Sequence, residues 1–186
     1  GNDNISGGAD NNTVYAEDGD DIIDARLSTG SFYGGAGDDI IKGGSGDYDW
    51  VHYDREAGPH GIYVNVTDGY VTDTFGDNDT ISGIELFDGT SLRDEFYGSD
   101  ENNEFNGREG DDVLYGYAGQ DYLQGGDGDD LLIGGEENDL LTGGTGNDTA
   151  SYVDATTGVT VNLALTVAQN TGGAGTDTLT AIENVI

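Results

Sequence analysis

Large apolar residues recur along this chain at every ninth position. Residues 34–42 read GGAGDDIIK and residues 125–133 read GGDGDDLLI, with GGTGND at 143–148. The shared unit is G-G-x-G-x-D-x-U-x, where U is a large apolar side chain. Stepping by nine from the first stretch places U at Ile5, Val14, Ile23, Phe32, Ile41 and Trp50. Stepping from the second places it at Phe96, Phe105, Leu114, Leu123, Leu132, Leu141 and Ala150. Every one of these positions is apolar, so the period is a property of the chain and not of one lucky window. Three residues, x-U-x, suit a short strand with one side chain turned inward. Six residues, GGxGxD, suit a turn whose glycines adopt backbone angles closed to other residues. Two strands and two turns make a coil of eighteen residues. Successive coils pair in parallel about 4.8 Å apart, and residues eighteen apart lie above one another. The expected fold is all-β, a solenoid with U side chains stacked inside.

The pattern stops twice. Residues 52–88 and 152–186 lose the nonapeptide, and the two stretches resemble each other. The first carries Tyr53, GIYVNV and DTISGIELF; the second carries Tyr152, GVTVNL and DTLTAIENV. The chain therefore reads as a duplication with four parts: a repeat block at 1–51, a β-rich linker or cap at 52–88, a second block at 89–151 and a second linker at 152–186. Alternation of Ile62, Val64 and Val66 marks a half-buried strand, and Asp68-Gly69 marks a hairpin turn. These segments are expected to cap or continue the solenoid, whose open end would otherwise expose core and unpaired strand.

Composition first opposes this picture and then explains it. The chain has 38 acidic and 5 basic side chains, a formal charge of −33, and 34 glycines. Self-repulsion and glycine entropy both favour the unfolded chain. Nucleic acid and anionic membrane surfaces are excluded as partners, since both need positive charge. Membrane insertion is not expected, because no apolar run approaches the roughly 20 residues of a spanning helix. Without cysteine there is neither a disulfide framework nor a thiolate metal site. The chain opens on a glycine in mid-pattern with no signal peptide in view, as expected for a piece of a longer protein.

The missing stabilisation is legible at position six of the turn. In the second block it reads Asp94, Asn103, Asp112, Asp121, Asp130, Asp139 and Asp148. Asp112, Asp130 and Asp148 fall on one edge, and Asp121 and Asp139 on the other. Carboxylates spaced by one coil repel unless a cation lies between them. Glycine-rich turns also aim carbonyl oxygens inward, giving an all-oxygen cage that suits Ca²⁺ better than Mg²⁺ or Zn²⁺. In the first block one edge keeps Asp3, Asp21 and Asp39. The other shows Asn12, Gly30 and Tyr48 at position six, and its turn ARLSTG at 25–30 has lost its early glycines, so that edge is expected to be poor in metal.

The nonapeptide is similar to that of the RTX, or hemolysin-type, calcium-binding repeats, over residues 1–51 and 89–151. The resemblance implies a right-handed parallel β-roll with several calcium ions between successive turns. It implies that the position-six aspartates already named are ligands. It adds turn carbonyls in the first block at Gly19, Gly35 and Gly37. In the second block the carbonyls come from Gly107, Gly110, Gly116, Gly119, Gly125, Gly126, Gly128, Gly134, Gly135, Gly144 and Gly146. Members are typically large bacterial proteins exported by type I secretion, so an extracellular or cell-surface location is implied.

Catalytic signatures are missing. His52 and His60 sit in HYDREAGPH, which is not the H-E-x-x-H zinc helix, and no G-x-S-x-G elbow occurs. Both histidines read as surface residues and Trp50 reads as core. The expectation is a non-enzymatic calcium-folded module of a larger secreted protein, whose partners are calcium and that protein's other domains. The alternative is a glycan- or surface-binding module. Val113, Tyr115, Leu131 and Ile133, with Tyr97 a coil earlier, would form an apolar outer face, which is expected to be covered by a linker.

Overall fold

The computed structural model describes residues 1–8, 10–26, 29–44 and 48–186. Leu27 and Ser28 of the ARLSTG turn, and residues 45–47 of the next turn on that edge, lie outside the described residues. The chain is all-β, its parallel sheets stacked as a β-solenoid consistent with a β-roll, and no helix occurs among the described residues. It divides into two compact units, Gly1–Thr90 and Ser91–Ile186.

In the first unit, β1 (Asn4–Ser6), β3 (Ile22–Asp24), β5 (Ile40–Lys42) and β9 (Asn78–Ser82) pair in parallel. The opposite sheet runs through β2 (Asn12–Tyr15), β4 (Gly30–Tyr33), β6 (Trp50–His52) and β10 (Leu86–Asp88). The inward side chains are in register: Ile5, Ile23, Ile41 and Ile81 in one sheet, and Val14, Phe32, Val51 and Phe87 in the other. Between β6 and β9 the linker forms a meander. β7 (Tyr63–Asn65) and β8 (Tyr70–Thr72) are antiparallel, and β8 pairs antiparallel with β9. Ile62 and Val64 are buried, and the turn at Asp68-Gly69 closes on a Gly69 with φ of 72°.

The second unit repeats the plan. One sheet holds β11 (Glu95–Ser99), β13 (Val113–Tyr117), β15 (Leu131–Gly135), β17 (Thr149–Ala150) and β20 (Asn184–Val185). The other holds β12 (Glu104–Glu109), β14 (Tyr122–Asp127), β16 (Leu140–Thr145) and β19 (Gly175–Thr180), with β18 (Gln169–Gly172) antiparallel to β19. Phe96, Phe105, Leu114, Leu123, Leu132 and Ala150 are fully buried. Each linker thus continues the roll by one coil, through β9 and β10 in the first unit and β19 and β20 in the second. The stretch GVTVNL forms no strand, unlike its counterpart in the first unit. The Gln169 side chain takes the Asn162 N–H at 2.7 Å, a side-chain clip where the first unit has a β7–β8 ladder.

Two placements differ from the nine-residue register. Trp50 is not core: Val51 pairs with Phe32 and is buried, while Trp50 pairs with Ser31 and turns outward. The turn from Gly43 to Asp49 has seven residues instead of six, and one extra residue reverses the alternation of the strand that follows. His52 moves with it. On the outer face but covered, it is 8% exposed, bonds Asp88 through Nδ1 at 2.8 Å, and stacks on Tyr33 and Trp50. His60 is exposed, as expected. The apolar outer face of the second unit is covered in part by that unit's own linker: the Tyr115 hydroxyl donates to Asp154, and Ile133 is buried.

Candidate metal centres

The turn Gly125-Gly126-Asp127-Gly128-Asp129-Asp130 shows why the repeat needs its residues. A Cβ on Gly125 would stand 2.1 Å from Asp130 Oδ2, so position one must be bare for the carboxylate to fold back over it. The same cradle occurs at Gly34 with Asp39, Gly107 with Asp112, Gly116 with Asp121 and Gly134 with Asp139, at 2.1 to 2.3 Å. Positions two and four lie in the left-handed region, with φ of 120° at Gly126 and 146° at Gly128. A Cβ there would strike the carbonyl oxygens of Arg108 and Gly110 in the preceding coil, at 2.0 and 1.8 Å. Carbonyls of one turn therefore face the glycines of the next.

Position six builds a column along each edge. The Asp94 N–H donates to Asp112 Oδ1 at 2.8 Å, Asp112 to Asp130 at 2.9 Å, and Asp130 to Asp148 at 3.0 Å. On the other edge Asn103 donates to Asp121 at 2.8 Å and Asp121 to Asp139 at 3.0 Å. In the first unit the column runs from Asp3 through Asp21 to Asp39. Each carboxylate after the first in a column spends Oδ1 on this ladder. The Oδ2 atoms of Asp21, Asp39, Asp112, Asp121, Asp130, Asp139 and Asp148 are buried and have no hydrogen-bond partner. Buried oxygens without partners are expensive and call for a counter-charge.

The electrostatics agree. Burial first, then neighbouring carboxylates, pushes Asp130 and Asp39 up to about 6. Burial likewise lifts Asp121 and Asp139 to about 7 and Asp112 to about 8, while Asp148 is raised. Donation from the neighbouring backbone N–H pulls each one down and loses to desolvation.

The structure assembles the expected residues along the turns with some changes. Asp94 is fully buried and Asp3 is exposed at its end of the column. Gly19, Gly35, Gly37, Gly110, Gly119, Gly135, Gly144 and Gly146 all have positive φ, while Gly107, Gly116, Gly125 and Gly134 are the bare floors under carboxylates. Tyr48 does not hold position six. It is 67% exposed, and Asp49, fully buried, takes that place over Gly43, accepting the Gly44 N–H on Oδ2. The extra residue in this turn is the reason, and the doublet Trp50-Val51 hid it because either residue could serve as U.

Sequence reasoning also missed how the linkers rejoin the columns. Asp39 donates to Asp79 Oδ1 and Asp139 to Asp177 Oδ1, both at 3.0 Å. Asp49 donates to Glu85 Oε2 at 3.1 Å and Asp148 to Glu183 Oε2 at 2.9 Å. The turns that end on these glutamates have only three residues, the glutamate included, and the longer side chain makes up the reach. The equal spacing of Asp79–Glu85 and Asp177–Glu183 was the available signal. Position five adds a second ladder in the opposite sense: Asp129 donates to Asp111 and Asn147 to Asp129, both at 2.9 Å.

Among the described residues no three Asp, Glu or His side chains converge on a single point. An ion at these turns must therefore combine few carboxylates with carbonyls, a hard all-oxygen donor set that fits Ca²⁺. The family model of the RTX calcium-binding nonapeptide repeat matches the chain in four copies, at residues 1–27, 31–48, 88–123 and 115–150, together more than half of its length. No curated protein matches the chain.

Proposed function

Because the chain belongs to the RTX calcium-binding nonapeptide repeat family, we propose that it is a calcium-folded module of a larger secreted bacterial protein, ordering outside the cell and stabilising what it is attached to. The observation that carries this reading is the columns of buried, unpartnered Oδ2 atoms along one turn edge of the first unit and both edges of the second. Position-six aspartates and the glycine carbonyls named above would hold the ions. Calcium supplies positive charge where the fold has buried negative charge.

The protein's own part is preorganisation. Bare glycines leave room for the carboxylates, N–H groups of the preceding coil fix each Oδ1, and the apolar columns fix the coil spacing. In a chain of charge −33 this fold stands only when the columns are neutralised, so ion binding is folding. Affinities are expected in the range of extracellular modules, roughly 10⁻⁴ to 10⁻³ M per site. Such sites stay empty at low calcium and fill at millimolar calcium, which permits export of an unfolded chain. We assign these turns no catalytic role, since their carboxylates are engaged in the ladders. Titrating β content with calcium by circular dichroism, in a chain purified in chelator, tests the reading.

A second reading, a glycan- or surface-binding module, rests on one outer-face feature. Tyr15 and Tyr33 stack at 4.5 Å, Tyr15 is half exposed, and the Arg55 guanidinium lies over both rings at 5.1 and 4.9 Å. A glycan screen in millimolar calcium distinguishes the two readings. Retained binding that is lost on Tyr15→Ala favours the second.

A further inference from the structure

The linker of the first unit buries carboxylates that no nonapeptide turn explains. Asp73 is 1% exposed. Its Oδ1 accepts the N–H groups of Phe75, Gly76 and Asp77 at 2.8 to 2.9 Å, which accounts for that oxygen as the cap of a turn. Its Oδ2 is buried with no partner. Glu56 repeats the arrangement: Oε2 accepts the Thr74 hydroxyl at 2.9 Å, and Oε1 is buried with no partner. Thr74, next in the chain to Asp73, is fully buried, and a Cβ on Gly58 would stand 2.0 Å from its carbonyl oxygen, so the Glu56 loop is packed tightly against this strand end. Burial chiefly, with Asp73 and Asp79 adding to it, pushes the Glu56 carboxyl upward, and Asp73 likewise adds to burial in raising Asp79 and Asp39. Among the described residues neither Glu56 nor Asp73 forms an ion pair with a Lys or Arg.

The second unit supplies the comparison. Asp73 stands six residues before Asp79, and Thr171 stands six before Asp177; Glu56 is three after Tyr53, and Ala155 three after Tyr152. Tyr53 donates to Asp79 Oδ2 at 2.8 Å and Tyr152 to Asp177 Oδ2 at 3.0 Å, so the surroundings correspond. In the second unit Thr171, fully buried, donates its hydroxyl to Asp177 Oδ2 at 2.9 Å and the place carries one carboxylate. In the first unit the corresponding sequence positions hold three acidic residues, Glu56, Asp73 and Asp79.

The geometry points to a calcium-class divalent cation held between Glu56 and Asp73 in the first linker, a site separate from the repeat turns and missing from the second linker. Glu56 Oε1 and Asp73 Oδ2 are its two anionic donors. With no third carboxylate converging on them, neutral oxygens of backbone and water complete the shell. The ion pins the Glu56 loop onto the end of the meander where the chain re-enters the roll at Asp79. This inference rests on the calcium reading of the repeats.

Calcium bound per chain, counted by equilibrium dialysis at pH 7.5 in saturating calcium, tests it on the whole chain. Glu56→Ala with Asp73→Thr copies the residues of the second linker. The expected result is one ion fewer than wild type, with the remaining ions bound at unchanged affinity. The reciprocal Ala155→Glu with Thr171→Asp is expected to gain one. An unchanged count in the first variant overturns the site and leaves a carboxylate pair sharing a proton. Should that double variant fail to fold in calcium, Glu56→Gln, which keeps the Thr74 contact, decides by the same count. A wild-type chain that binds no calcium removes the repeat reading as well, so the two failures are told apart.

Discussion

At the scale of single residues, the repeat is a device for keeping a carboxylate where it does not want to be. Gly125 shows the cost of any change. Its φ is unexceptional, so Gly125→Ala tests space alone: the new Cβ would meet Asp130 Oδ2 at 2.1 Å. We expect the calcium midpoint of folding to rise about tenfold, equivalent to about 1.4 kcal/mol. Gly158→Ala, with nothing within 4 Å of its Cβ, is expected to leave the midpoint unchanged. Calcium titrations followed by circular dichroism compare the two. Asp130→Ala removes the acceptor for the Asp112 N–H and the unpartnered Oδ2, while the Asp130 N–H still donates to Asp148, and it is expected to weaken two neighbouring sites, seen as a loss in the calorimetric stoichiometry.

At the scale of elements, strand and turn lengths decide which side chain does what. The seven-residue turn ending at Asp49 moves Val51 inward and Trp50 outward. Asp49→Ala should therefore raise the calcium requirement of the first unit, whereas Tyr48→Ala, at an exposed position, should change stability by less than about 0.5 kcal/mol. Thermal melts in calcium check both. The period of nine, the inward columns, the stacking of Asp112 on Asp130 on Asp148, and the hairpin at Asp68-Gly69 were legible because each rests on spacing along one strand or turn. The Trp50 shift was not, since two adjacent apolar residues satisfy either register. The re-entry of Asp79 and Asp177 into the columns was hidden because it joins residues 40 and 38 apart, across a linker of irregular length. His52 was misread for a different reason: its ring is covered on the outer face by Tyr33 and Trp50, and its Asp88 partner lies 36 residues away.

At the scale of the whole molecule, charge sets the conditions under which the fold exists. The column carboxyls titrate higher in the metal-free fold than their ordinary 3.8, at about 6 for Asp39 and Asp130, about 7 for Asp121 and Asp139, and about 8 for Asp112. The folded state then holds more protons than the unfolded chain. Metal-free stability is present at pH below about 4 and is lost as pH rises through 6 to 8. In chelator, β content at pH 4.5 should exceed that at pH 8, and a flat profile would contradict this. Acid works in the other direction on the loaded protein, because protons compete with calcium for the same oxygens. The most direct measurement is far-ultraviolet circular dichroism of the chain at pH 7.5, first in chelator and then in millimolar calcium. The account predicts a largely unfolded spectrum that becomes β-rich on adding calcium; an equally β-rich spectrum in both conditions would contradict it.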